Sequence, residues 1–253
     1  MLIDYQTWML VFMRMSAFLL VLPFFSATNF PVAMRIALGA LTAMLMLPMI
    51  PPVHLSELTF FGMFGVMTKE VAVGLLLGFI SRMVFFAADL AGNIIATEIG
   101  LNMAPGFNPL PSQSAPVPST ILFFLAAIVM LTLDLHHWVL VGFQQTYTVL
   151  PIGGAQVNGP LFETVLTHTS KIFVVALQIC APVMAVSFVV TIVFGVLSRA
   201  VPQMNVFILS FPFRIASGLA VFGFTLHLTA QHVSNYLNRL PDDLLNIARL
   251  LNV

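Results

Sequence analysis

From Leu58 to Leu101 the chain runs apolar and free of proline, yet Lys69, Glu70, Arg82, Asp89 and Glu98 lie inside that run. As one helix at 1.5 Å per residue the stretch would be about 65 Å long, roughly twice the hydrocarbon thickness of a bilayer. A turn near Gly92-Asn93 would shorten it to a hairpin. Charges at bilayer depth are costly, so these side chains must meet protein, water or an interface. Reading down one helical face from Glu70 gives Gly74, Gly78, Arg82, Asp89, Asn93, Thr97 and Gly100. Small residues let helix backbones approach closely, and polar ones hydrogen-bond across the contact. Glu70, Gly74, Gly78, Arg82, Asp89 and Asn93 are therefore expected to form a packing face for partner subunits. A long helix packed inside a single-chain bundle is the alternative.

The other apolar tracts are Tyr5–Phe25, Arg35–Met49, Ile121–Leu150, Lys171–Leu197 and Val206–Leu237. Only Lys171–Leu197 reads as a clean span, with Pro182 expected to kink it. Arg14, Asp134 and Arg214 interrupt three of the others. Charged residues make up 7% of the 253 and hydrophobic ones 60%. That is too little charge to cover a soluble surface, which excludes a water-soluble monomer. Zero net charge and the lack of a Lys/Arg cluster exclude a nucleic-acid binder. The single cysteine, Cys180, excludes an internal disulfide framework and a multi-cysteine metal site. No Lys or Arg precedes Arg14, so the first apolar segment is expected to be retained rather than cleaved as a signal. The fold class expected is an all-α integral membrane protein of long, kinked, Pro/Gly-interrupted helices and hairpins. Residues 1–253 are read as a single membrane-embedded domain.

Ala104–Ser119 carries five prolines, one glycine and three serines, which argue against helix and sheet throughout. Irregular backbone in a membrane-embedded chain is tolerated where it lines a cavity or is buried in protein. This loop reads as an obstruction or gate, with a plain surface loop as the alternative. Gly106, Phe107, Pro109, Leu110, Pro111 and Val117 are the expected plug residues. Further breaks fall at Pro151–Gly154, Asn158–Pro160 and Ser198–Asn205. The block Pro202–Arg214 is expected to be an irregular break between two helices, with Gln203 and Asn205 buried and hydrogen-bonded.

Chemistry-bearing constellations are scarce. Asp134, His136 and His137 resemble a metal cluster, but adjacent histidines point about 100° apart on a helix and no further ligand stands at i+4. His227 and His232 are five apart, off a shared face. Cys180 has no local partner, and an apolar thiol is inert. No Gly-rich phosphate loop or zinc-helix motif occurs. No catalytic residue, metal or cofactor is expected. The runner-up reading is an ion-coupled secondary transporter using Glu70, Asp89 and Glu98 as buried proton carriers.

Val201-Pro-Gln-Met-Asn-Val-Phe-Ile-Leu-Ser-Phe-Pro-Phe-Arg-Ile-Ala-Ser-Gly218 closely resembles the signature near the carboxyl end of the FliR family. Pro202, Gln203, Asn205, Phe207, Pro212 and Arg214 are its motif positions. Supporting matches are Arg14 with Pro23, Pro31-x-x-x-Arg35, Thr97-Glu-Ile-Gly100, the Pro/Ser-rich loop, His137, Leu150-Pro-Ile-Gly153 and Ala181-Pro182. The likeness covers essentially the whole chain, departing at His136-His137, where the family more often has Gly-His. The resemblance implies a core subunit of the flagellar type III secretion export gate in the bacterial inner membrane, within the basal body. It implies a single copy joined to P- and Q-type subunits in a hetero-oligomeric helical gate, wrapped by the FlhB switch subunit, that passes unfolded export substrates. The related T subunit of a virulence injectisome is the alternative, though Ser210-Phe-Pro-Phe-Arg214 resembles the flagellar branch more closely. Arg239 and Arg249 weakly favour a carboxyl end on the inner side.

Overall fold

Asp4 starts the first helix by accepting from the Gln6 amide at 3.3 Å and from the Thr7 hydroxyl at 2.6 Å. Such a cap satisfies donors that a helix start otherwise leaves open. The structure, a computed structural model, describes residues 4–23, 31–52, 59–101, 115–203 and 205–252. Its helices are α1 (Tyr5–Val21), α2 (Val32–Met46, followed by a 3₁₀ turn at Leu47–Met49), α3 (Phe60–Glu98), α4 (Val117–Thr132), α5 (Leu135–Val149), α6 (Gly159–Ala200), α7 (Val206–Leu237) and α8 (Leu240–Leu251). No strand occurs among the described residues. Among the described residues, four helical segments are long and apolar enough to cross a membrane, or five if α4 and α5 count as one broken span. The chain is an all-α integral membrane protein.

Several expectations about where helices break are corrected. The apolar run forms one helix of 39 residues, with no turn at Gly92-Asn93. The loop expected to reach Ser119 ends sooner, because Val117, Pro118 and Ser119 are already helical. Pro118 is tolerated there because the first turn of a helix has no use for its missing amide. The break near the carboxyl end is also shorter than expected. It occupies the residues around 201–205, and Pro212 lies inside α7. Pro182 likewise lies inside α6.

Residues 1–253, read from the sequence as one domain, group into two compact units. The first unit comprises Met1–Met83, Leu133–Thr169 and Leu237–Val253. Its core joins Leu10, Met15 and Phe18 of α1 to Leu77 and Ile80 of α3, Phe143 of α5 and Leu244 of α8. The Phe18 and Phe143 rings lie 4.5 Å apart. The α8 helix is the most amphipathic, and buries Leu240, Leu244, Ile247, Ala248 and Leu251 along one side. Close approach needs glycine at two places. A Cβ on Gly74 would run into the Arg14 carbonyl oxygen, and one on Gly78 would stand 2.9 Å from the Phe18 carbonyl oxygen.

The second unit comprises Val84–Thr132 and Ser170–Tyr236. Ala88, Ala91, Ile95 and Ile99 of α3 pack with Leu122 of α4, Ala176, Ile179, Cys180 and Val183 of α6 and Phe222 of α7. Small residues recur at the crossings, as helix packing in a lipid setting favours. Ser187 ties α6 to α3 by donating to the Glu98 carbonyl at 3.1 Å.

Gly74 and Gly78 therefore face α1 of the same chain, which gives a direct test. Gly74→Ala and Gly78→Ala should each destabilise the chain, by about 1–3 kcal/mol, because the neighbouring atoms include backbone that cannot swing aside. Gly65→Ala, on the same helix with nothing within 4 Å of its missing Cβ, should be neutral or slightly stabilising. Thermal aggregation of the chain in its native membranes reads the difference. Equal losses at all three positions would mean the α1–α3 approach is unimportant.

Candidate functional site

The densest polar constellation among the described residues is in the first unit. Arg14 on α1 and Glu70 on α3 are both 0% exposed. Arg14 Nε donates to Glu70 Oε2 at 2.5 Å and Nη2 donates to Oε1 at 3.0 Å, a two-pronged pair across 56 positions of sequence. The third nitrogen, Nη1, donates to the Leu150 carbonyl at 3.3 Å. The guanidinium carbon lies 4.2 Å from the centroid of the Tyr147 ring. Glu70 Oε1 also accepts from the Gly153 amide at 2.9 Å, and Lys69 Nζ donates to the Gly153 carbonyl at 3.3 Å. Gly153 has a φ of 79°, a left-handed conformation that suits a residue without Cβ. One buried charge pair thus holds α1, α3, the end of α5 and the turn after it.

These contacts redefine the expected packing face. Glu70, Gly74 and Gly78 meet α1 of the same chain in place of a partner subunit, and Arg82 donates to the Val21 carbonyl at 3.3 Å. At these four positions the contacts match the alternative of a helix packed inside its own chain. In the second unit, Asp89 accepts a hydrogen bond from Ser119 of α4. Gly92 permits that crossing, since a Cβ there would overlap the Ser119 backbone. Asn93 is half-buried, and its side chain donates to the Asp89 carbonyl at 2.8 Å. Asp89 is exposed.

The proton-carrier arrangement fares poorly at Glu70. Its carboxylate faces three donors, from Arg14 Nε, Arg14 Nη2 and the Gly153 amide. Among these partners there is no acceptor to which a proton could pass.

The carboxyl-end motif is also corrected. Gln203 and Asn205 are exposed rather than buried, and Asn205 Oδ1 caps α7 by accepting from the Ile208 amide at 3.4 Å. Pro202 and Pro212 are exposed too. Arg214 is half-buried, and its Nε finds no acceptor among the described residues. The side chain of Phe207 lies outside the description. So do the plug positions Gly106, Phe107, Pro109, Leu110 and Pro111, whereas Val117 is exposed at the start of α4.

Sequence reasoning missed three connections. It had no rule for pairing Arg14 with Glu70, although two opposite charges stranded in apolar runs were the available signal. It did not see Ser119 as the partner of Asp89. It also dismissed Asp134, His136 and His137 by a helical-face argument, yet one ligand atom of each lies within 4.8 Å of the others. That argument weighed the two histidines on a helix and looked for a third ligand at i+4, whereas Asp134 stands at the helix start in a left-handed conformation.

Apolar helices with an internal ion pair, and exposed faces that only lipid or protein can cover, define a polytopic membrane component. The family model of bacterial export proteins, family 1, matches residues 5–240, and the chain belongs to that family. Among its relatives is the flagellar biosynthetic protein FliR of Bacillus subtilis (strain 168), 28% identical over 255 residues, covering 98% of this chain and 97% of the relative. FliR of Escherichia coli (strain K12) is 26% identical over 234 residues, covering 91% and 89%. FliR of Buchnera aphidicola subsp. Acyrthosiphon pisum (strain APS) is 27% identical over 232 residues, covering 92% and 88%.

The ion pair predicts a specific asymmetry. Arg14→Met or Glu70→Leu alone leaves an uncompensated buried charge and should cost about 3–5 kcal/mol. The double change Arg14→Met with Glu70→Leu should recover a large part of that loss. Urea titrations of the chain in its native membranes, read by limited proteolysis, would show it. Additive losses in the double variant would mean that the pair acts mainly by anchoring Leu150 and Gly153.

Proposed function

We propose that this chain is a core subunit of the flagellar type III protein export gate. In this reading it joins P- and Q-type subunits and the FlhB switch subunit in the bacterial inner membrane, within the basal body. The assembly passes unfolded flagellar proteins across that membrane. The observation that carries the reading is the family match over residues 5–240, together with relatives of similar length, among them three named as flagellar biosynthetic proteins. The physics of the isolated chain supports it. Ile192, Val193 and Val196 on α6 and Ile208, Phe213 and Phe224 on α7 stand exposed, a larger apolar surface than a soluble monomer tolerates.

Asp89 and Asn93 remain candidates for contact with partner subunits, as do the exposed motif residues Pro202, Gln203, Asn205 and Pro212. In this reading the role is one of assembly and passage. The loop with Gly106, Phe107, Pro109, Leu110 and Pro111 is the candidate closure of the channel. Its prolines oppose regular structure, and its apolar side chains suit a plug better than open water.

Two experiments test the reading. Expressed alone, the chain should aggregate or be recovered poorly, whereas co-expression with P- and Q-type subunits should give a stable complex. A monodisperse isolated chain that ignores those subunits would overturn the assignment. Deleting residues 107–114, short of the start of α4, should leave that complex assembled but raise its conductance to small ions in a planar bilayer. A deletion complex as tight as the parent would make the loop a surface connector.

A further inference from the structure

The turn that begins α5 brings together three side chains with lone pairs that the described chain does not use. Asp134 has a φ of 53°, the one non-glycine residue at positive φ among those described. An aspartate at a helix start ordinarily turns its carboxylate onto the first free amides. Asp134 makes no such bond. Its nearest polar partner is His137 Nδ1 at 3.7 Å, beyond hydrogen-bond range. His136 Nδ1 is buried and also has no partner among the described residues. The two imidazole rings lie 4.0 Å apart at an interplanar angle of 39°. One ligand atom from each of Asp134, His136 and His137 lies within 4.8 Å of the other two.

We propose that Asp134, His136 and His137 bind a divalent first-row transition ion, with Zn²⁺ as the natural candidate. Imidazole and carboxylate together suit such an ion better than Ca²⁺ or Mg²⁺, which prefer oxygen ligands alone. Ligand atoms about 2.0–2.2 Å from a shared tetrahedral ion stand about 3.4 Å from one another. The atoms furthest apart must close by about 1.4 Å from that 4.8 Å limit, a modest side-chain rotation for the exposed Asp134 and His137. The remaining coordination positions stay open to water or to a ligand from outside.

Two objections can be weighed. The positive end of the α5 dipole opposes a cation at its first turn. That effect is weak at an exposed terminus, and the adjacent Asp134 carboxylate offsets it. The simpler alternative is an ordinary i,i+3 pair between Asp134 and His137. It leaves the 3.7 Å gap unexplained and gives buried His136 Nδ1 nothing to do. A shared ion engages all three groups at once. It would also fasten a left-handed turn that has no side-chain cap of its own.

The test uses the full chain in detergent, with its stabilising partner subunits, stripped by chelator and titrated with Co²⁺ alone and then Zn²⁺ alone. Binding should add one Co²⁺ per chain over the variant background, with the intense visible bands of low-symmetry coordination, and Zn²⁺ should bleach them. Asp134→Asn, His136→Gln and His137→Gln should each weaken binding by about tenfold or more. His227→Gln with His232→Gln should not change it. Asp134 and His137 are exposed, so those two variants report even if His136→Gln fails to fold. Binding that is absent in the parent, or equal in parent and variants, would overturn the site.

Discussion

A guanidinium and a carboxylate, both withdrawn from solvent, set the architecture of the first unit. Taking each from water costs several kcal/mol, and their mutual attraction offsets this only with good geometry and with the remaining donors satisfied. Arg14 and Glu70 meet both conditions. Their two-pronged contact is completed by the Leu150 carbonyl, the Gly153 amide and the face of Tyr147. All three extra partners come from residues 147–153, so α1, α3 and this one stretch at the end of α5 must arrive in one register. Apolar packing alone would let these helices slide, because in a lipid setting one apolar contact is worth much the same as another. The buried pair removes that freedom.

The glycines around the pair follow from it. Arg14 can reach Glu70 only if α1 lies close to α3, and Gly74 and Gly78 provide the closeness one and two turns further along. Lengthening either residue would push the backbones apart and stretch the ion pair. Charge and small-residue spacing are thus one device rather than two. In the second unit the same logic uses weaker chemistry, with Gly92 admitting the Ser119 backbone and Asp89 accepting from the Ser119 hydroxyl.

How far the sequence revealed this depended on the range of the interaction. The all-α membrane class was legible from local patterning, because long apolar runs and scarce charge admit few other folds. The helical spacing from Glu70 to Asn93 could be written down too, because periodicity is local. What Glu70 meets could not, since nothing at Glu70 identifies a residue 56 positions earlier as its partner. Breaks were overread in the opposite sense. Proline at 118 or 212 was taken to exclude helix, but a proline in a first turn loses nothing, and one inside a long apolar helix leaves only a single carbonyl unserved. Asp134 was hard to place for another reason. Its left-handed backbone carries the carboxylate off the helical lattice on which the histidines were judged.

What remains outside the chain's own packing is unevenly distributed, and that unevenness bears on assembly. In the apolar window of α3, 61% of residues are buried, against 22% in α6 and 17% in the segment Ile208–Leu251. The long central helix is therefore largely satisfied by its own chain, whereas the two later helices present most of their apolar surface outward. Lipid tails could cover Phe224 or Ile192 as well as a protein could. They cannot serve the polar groups on α7. Pro212 leaves the Ile208 carbonyl without its helical donor, and Arg214 Nε has no acceptor among the described residues. A helix that carries bare aromatic side chains, an unserved carbonyl and a cation favours contact with polypeptide or headgroups over hydrocarbon alone. That asymmetry separates α3, whose apolar window is mostly covered by its own chain, from α6 and α7, whose apolar surface must be covered by lipid or by other polypeptide.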